Sequence, residues 1–308
     1  MQAHLATPSS SFASHVHRRA SASVEELVYE VERDFPQFQG LRWRLVEGGR
    51  DHRVLVGSDI VAFRFPRTVR RAQRFQLEMR LLDTLARDCP ILIPKYQHRA
   101  SDSSYGGYPL LSGTPVTGFF FRSCTGPERE RIESLIGLFL QFIHAQIPHC
   151  FLPGENGNHI IKFGKRYVSS HAYIVNNFLG EVFAKKFEAF IKKYSEEEWI
   201  ITNLIHGDLT TDHILYDTQK GTLSVLDFGD CEMGDRSFDF LCFWELGEDV
   251  VDRVLAWAVP PEQERERLKL MSLLHYGRAL SFKICRANSA EPEELRETVA
   301  AFLRRAGV

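Results

Sequence analysis

Asp208, His213 and Asp227 are three side chains whose types and spacing could act on one reacting group. They lie in LIHGDLTTDHILYDTQKGTLSVLDFGD, residues 204–230, where two apolar, strand-like runs each end in an aspartate beside a glycine. A carboxylate within reach of a hydroxyl can take its proton, and ligands at a second position can hold a divalent ion against phosphate. Phosphoryl transfer asks for little more than an oriented nucleophile and neutralised phosphate charge. ILYD and TLSVLDF are apolar and β-prone, and Thr218-Gln219-Lys220-Gly221 between them supplies a turn. They are expected to pair as a hairpin, which brings residues 213 and 227 to one end.

The order of these residues matches the protein-kinase catalytic loop, H-R-D-L-x-x-x-N followed later by D-F-G. Here the chain reads His206-Gly207-Asp208-Leu209, three residues, His213, then Asp227-Phe228-Gly229. Either motif alone is common by chance; in order, across one hairpin, they make Asp208 the expected base and Asp227 the expected principal metal ligand. The longer stretch HGDLTTDHILYD followed by LDFGDCEMGDRSFDF resembles the aminoglycoside phosphotransferase family, most closely over residues 204–240. The resemblance implies a bilobal, protein-kinase-like α+β fold, Mg²⁺, ATP or GTP as phosphate donor, and phosphorylation of a hydroxyl on a small molecule. It also implies that His213 stands with Asp227 on the metal side, where asparagine is commoner, and that Asp235 and Asp239 brace the catalytic loop. Imidazole is a softer ligand for Mg²⁺ than an amide oxygen.

The elements that must position these groups follow from pattern. Ser23 precedes Val24, Leu27, Val28 and Val31, so a capped helix starts there. Residues 41–66 cluster β-formers around Gly48-Gly49 and Gly57-Ser58, which predicts three strands; a helix over RRAQRFQLEMRLLDTLARD and two more strands near KYQHRA and YPLLSG follow. The expected architecture is therefore an N-terminal lobe over 23–112 holding an antiparallel five-stranded sheet with a helix. A connection over 113–117 leads to a larger, mainly helical lobe over 118–308, with helices expected at 128–146, 175–194, 262–286 and 291–305. Residues 1–22 lack a continuous apolar core and are expected to form a mobile tail, not a secretory signal.

A kinase lobe pairs a lysine on its third strand with a glutamate on the next helix, yet residues 1–94 contain no lysine. Arg64, in IVAFRFP, is the nearest candidate. Glu78 is the only glutamate between Arg64 and Pro90, and Leu81, Leu82 and Leu85 share its helix face. A carboxylate on a buried stripe calls for a cation, so Arg64 and Glu78 are expected to pair, although an arginine is not equivalent to a lysine. Gly48 and Gly49 sit where a phosphate-covering turn belongs. Ser112 and Thr114 flank Gly113 where the connection would offer backbone groups to a nucleobase.

Composition bounds the rest. A net charge of −2 argues against a nucleic-acid partner. Residues 196–252 hold fifteen Asp or Glu against Lys220 and Arg236, a face that would attract a cation. Asp230, Glu232, Glu245 and Glu248 are the candidate contacts to a cationic small-molecule acceptor, an aminoglycoside before a macrolide, sugar or amino alcohol. The six cysteines show no C-x-x-C spacing and no apolar run approaches a membrane span, so a monomeric cytoplasmic protein with reduced thiols is expected. A zinc hydrolase built on His206, Asp208 and His213 lacks the H-E-x-x-H helix, and no G-x-S-x-G elbow supports a serine hydrolase. The non-enzymatic alternative is a kinase-like nucleotide-binding module with weakened catalysis; retention of Asp208 and Asp227 opposes it.

Overall fold

The computed structural model describes residues 9–46, 51–146, 202–258 and 262–286, with Lys185, Ala189 and Arg304. The chain divides into two compact units. The first comprises Met1–Val116, Pro148–Gly154 and Asp212–Cys231; the second comprises Thr117–Ile147, Glu155–Thr211 and Glu232–Val308.

In the first unit, helices α1 (Ser10–Ser21) and α2 (Val24–Asp34) precede strands β1 (Trp43–Val46), β2 (His52–Gly57) and β3 (Val61–Pro66). Helix α3 (Val69–Leu85) and strands β4 (His98–Arg99) and β5 (Gly106–Pro109) follow. The five strands form one antiparallel sheet in the order β1-β2-β3-β5-β4, as the sequence predicts. Ser23 caps α2 in a capping box with Glu26, satisfying donors that the helix leaves unpaired. Its inner face meets the sheet in a core of Leu27, Val31, Leu55, Val61, Phe63, Phe65 and Tyr105. Gly107 lies opposite Phe63, and a Cβ there would stand 2.6 Å from the Phe63 ring. Only glycine lets that ring lie across β5.

The expectation of a mobile tail over 1–22 is corrected for residues 10–21, which form α1. Ser9 caps it, and Arg19, 5% exposed, bonds to Glu30, Ser104 and Asp102 and lies 4.7 Å above the Tyr105 ring. A polar composition suggested solvent; one buried arginine with several partners fixes the helix instead.

Strand β6 (Thr114–Pro115) pairs with β8 (Ile214–Asp217), which pairs with β9 (Thr222–Val225). This pairing groups residues 212–231 with the first unit, whereas the sequence reading assigned them to the C-terminal lobe. In the second unit, α4 (Gly118–Ser123) and α5 (Gly126–Ala145) precede β7 (Asn203–Ile205), which pairs antiparallel with β10 (Glu232–Gly234). A run of 3-10 turns over Arg236–Glu245 leads to α6 (Glu248–Ala258) and α7 (Glu262–Arg286). Phe139, Leu140, Ile143, Phe240, Phe243, Val251 and Val254 are buried here. The helices expected at 175–194 and 291–305 fall almost wholly outside the described residues, as do Gly48 and Gly49. Cys89, Cys124, Cys231 and Cys242 are unbridged. Among the described residues, no helix is long and apolar enough to cross a membrane.

Candidate active site

Arg64 is the hub of the first unit. Register places it on β3 opposite Val54 of β2 and Gly106 of β5, and it is only 4% exposed. Its Nη1 donates to Glu78 Oε1 at 2.6 Å and to the Tyr96 hydroxyl at 3.1 Å. Its Nη2 donates to Asp227 Oδ1 at 2.7 Å and to His52 Nδ1 at 3.0 Å. A guanidinium can only donate, so His52 Nδ1 must accept, and the imidazole is the neutral tautomer with its proton on Nε2. That Nε2 and Glu78 Oε2 are buried with no hydrogen-bond partner among the described residues.

The electrostatics follow from this packing. Burial, reinforced by Arg64, holds the His52 pKa down at about 2. Burial pushes Glu78 up to about 7, against the pull of Arg64. For Arg64, burial works against the charge but Glu78, Tyr96 and Asp227 outweigh it, and its pKa rises. Burial also opposes ionisation of Asp227; Arg64, ahead of His213, overcomes it and holds that carboxyl below the ordinary range. The expected Arg64–Glu78 pair is therefore present, and Asp227 joins it.

The hairpin delivers the other partner of Asp227. Ile214 faces Val225, and Leu226 N–H donates to the His213 carbonyl at 2.9 Å, so the ladder runs to the strand ends. His213 Nε2 consequently lies 3.9 Å from Asp227 Oδ2. Asp227 adopts a left-handed backbone, φ 61° and ψ 64°, which aspartate tolerates better than most residues. Helix α3 secures the segment beyond it. Arg74 Nε donates to the Gly229 carbonyl at 2.6 Å, and Arg71 Nη1 donates to Asp230 Oδ1 at 3.0 Å. Residues 71, 74 and 78 share one face of that helix. Sequence reasoning passed over Arg71, Arg74 and His52; the i, i+3, i+7 spacing was the available signal for the two arginines.

In the second unit, β7 ends at the loop carrying Asp208. Asp239, fully buried, accepts from His206 N–H at 2.8 Å, from Gly207 N–H at 3.1 Å and from His144 Nε2 at 3.0 Å. Burial raises its pKa, but His144 and the loop donors prevail and lower it. Gly207 has φ 80°, a conformation glycine adopts without strain, and Asp208 beyond it is exposed. Asp239 thus braces the loop as the resemblance implies. Asp235 acts one step further out, accepting from Ser237 N–H at 3.0 Å and from Arg267 Nη1 at 3.5 Å.

Other expected contacts are distributed unevenly. The Ser112 hydroxyl donates to Asp217 Oδ2 at 2.7 Å and accepts from Lys220 Nζ at 3.1 Å, so it staples the connection to the hairpin. Thr114 pairs with Tyr216, and Gly113, φ 133°, lies so close that a Cβ would meet the Tyr216 carbonyl carbon at 2.9 Å. Of the acids proposed for a cationic acceptor, Asp230 is held by Arg71 and Glu248 by Lys269 at 3.1 Å. Glu232 faces Ile205 across β10–β7, and Glu245 Oε2 accepts from Thr211 at 3.4 Å. These last two flank the Asp208 loop.

Asp227 suits a hard divalent cation: it is ionised, its Oδ1 is held by Arg64, and its Oδ2 faces His213. Imidazole is the softer member of that pair.

The chain matches the model of a phosphotransferase enzyme family, APH, over residues 42–271. Among solved structures it is similar to the GDP complex of aminoglycoside 2'-phosphotransferase-IIIa (TM-score 0.72, 17% identity, covering 92% of this chain and 100% of that one). A GDP and kanamycin complex of APH(2")-IIIa gives TM-score 0.70 at 17% identity, covering 92% and 98%. Macrolide 2'-phosphotransferase MphH from Brachybacterium faecium gives 0.59 at 18%, covering 91% and 97%. The fold they share is α+β and kinase-like.

Proposed function

The chain belongs to the phosphotransferase enzyme family, and from that premise we propose that it moves the γ-phosphate of ATP or GTP to a hydroxyl of a small molecule. The observation that carries this reading is the hairpin register that brings His213 within 3.9 Å of an ionised Asp227, with Asp208 five residues before His213 along the chain. The acceptor's alcohol oxygen bonds to the γ-phosphorus as the bond to the β–γ bridging oxygen breaks. The nucleoside diphosphate leaves, and the alcohol proton passes to the Asp208 carboxylate.

Asp227 with His213 would hold Mg²⁺, which when bound neutralises charge on the donor's phosphates. Arg64, fixed by Glu78, faces the phosphates, and the backbone at Ser112 and Thr114 serves the nucleobase. Asp239 holds the loop that presents Asp208. Glu232 and Glu245, which flank the Asp208 loop, are the acids we assign to the acceptor.

An aminoglycoside is the first choice of acceptor, supported by the fold of the aminoglycoside 2'-phosphotransferases and by acids at the loop. A macrolide is the second, supported by the likeness to MphH and by the neutralised state of the other acids. Incubation with Mg²⁺, labelled ATP or GTP, and a panel of both classes with sugars and amino alcohols tests this. Label transfer to one class is expected. Nucleotide binding with no transfer to any alcohol, and no change on Asp208→Asn, would support the binding module instead.

A further inference from the structure

Each terminal nitrogen of an arginine carries two N–H groups, and each terminal nitrogen of Arg64 already meets two acceptors. The guanidinium therefore has no terminal donor left for a phosphate, and a phosphate reaching it must displace one of the four. Three of them cannot leave cheaply. Glu78, Tyr96 and His52 are 3%, 4% and 8% exposed, and a buried polar group that loses its partner pays its desolvation in full. The Asp227 side chain is 42% exposed, so it can exchange Arg64 for water or for an ion.

We propose that Asp227 is a built-in competitor of the donor's phosphates for Arg64: without a divalent cation it occupies the Nη2 donor that phosphate needs, and the cation, by engaging Asp227, releases that donor. His52 is the positioning residue of this arrangement. Its Nδ1 accepts the second Nη2 proton and keeps that edge of the fork turned toward Asp227. Divalent cation and nucleotide are thereby coupled through one arginine, beyond any direct contact between them, and the coupling is reciprocal.

This inference rests on the phosphotransfer reading, and the test separates the two. ATP and GTP affinities are measured in EDTA, where no turnover occurs, for the wild type, Asp227→Asn, Arg64→Lys and the double variant. Asparagine is isosteric and tolerates the left-handed backbone; lysine keeps Glu78 paired with a cation but removes the fork. Asp227→Asn should tighten metal-free nucleotide binding about tenfold, within the usual range of coupling, although it removes a metal ligand. In the Arg64→Lys background the gain should fall below about twofold.

An unchanged or weaker affinity in Asp227→Asn overturns the competition while leaving phosphotransfer standing. So does an equal gain in both backgrounds, which would mean simple removal of a like charge. Failure of the wild type to bind either nucleotide even with Mg²⁺ overturns the phosphotransfer reading and this one with it. Should Arg64→Lys not fold, the ¹⁵N resonances of the wild-type Arg64 side chain decide. Metal-free nucleotide should shift them less than Mg²⁺ and nucleotide together, and equal shifts contradict the proposal.

Discussion

Arg64 shows how far single residues can be read from sequence. The helical period put Glu78 on a leucine-lined stripe, and a carboxylate there had to find a cation; Arg64 was the candidate, and the two stand 2.6 Å apart. His52 was not legible, because nothing in a strand-initial histidine announces that it will be buried against a guanidinium. Arg71 and Arg74 were hidden differently, since an arginine-rich run reads as a solvated face until the partner segment, more than 150 residues later, is placed. The raised pKa of Glu78 has a thermodynamic consequence. With a folded pKa of about 7 against the ordinary 4.5, the folded state binds more protons than the unfolded between those values. The stability Glu78 contributes is thus full below pH 4.5 and is lost as pH rises through 7. Urea unfolding of wild type and Glu78→Gln from pH 4.5 to 8 should show the difference between them shifting toward the variant as pH rises; a pH-independent difference would contradict the assignment.

At the scale of elements, the capped helix α2, the five-strand sheet and the β8–β9 hairpin were all visible as alternation, glycine turns and a serine cap. Helix α1 was not, because its apolar content is slight and its attachment depends on Arg19 reaching Glu30 and Tyr105. Arg19→Ala should destabilise the protein by about 2 kcal/mol, less than for a fully broken buried pair because Arg18 also reaches Glu30. Chemical denaturation measures this, and a change near zero would mean that α1 is dispensable. Helix α5 meets α6 at Gly137, where a Cβ would stand 2.2 Å from the Trp257 Cβ. Gly137→Ala should cost about 1–3 kcal/mol through overpacking, despite alanine's better helix propensity. This constraint is not legible in the sequence, since a helical glycine shows its reason only when the neighbouring helix is in place.

For the whole molecule, summed charge misled where pairing decides. The acidic run over 196–252 suggested a broad anionic face, but Arg71, Arg253 and Lys269 neutralise Asp230, Asp249, Glu248 and Asp252 locally. Their cations come from distant sequence or, for Arg253, from just past the run. If the acceptor is cationic, Glu245→Gln should raise its KM about fivefold, roughly 1 kcal/mol for one exposed charge contact. Glu248→Gln should leave it unchanged, and steady-state kinetics with the best acceptor distinguishes them. The central claim is that Asp208 takes the proton of an alcohol attacking a bound nucleotide. Asp208→Asn tests it most directly, with turnover and nucleotide affinity measured on the same preparation. Turnover should fall by about 100-fold or more, as expected when a general base is lost, with nucleotide affinity unchanged; turnover within a few-fold of wild type would contradict the account.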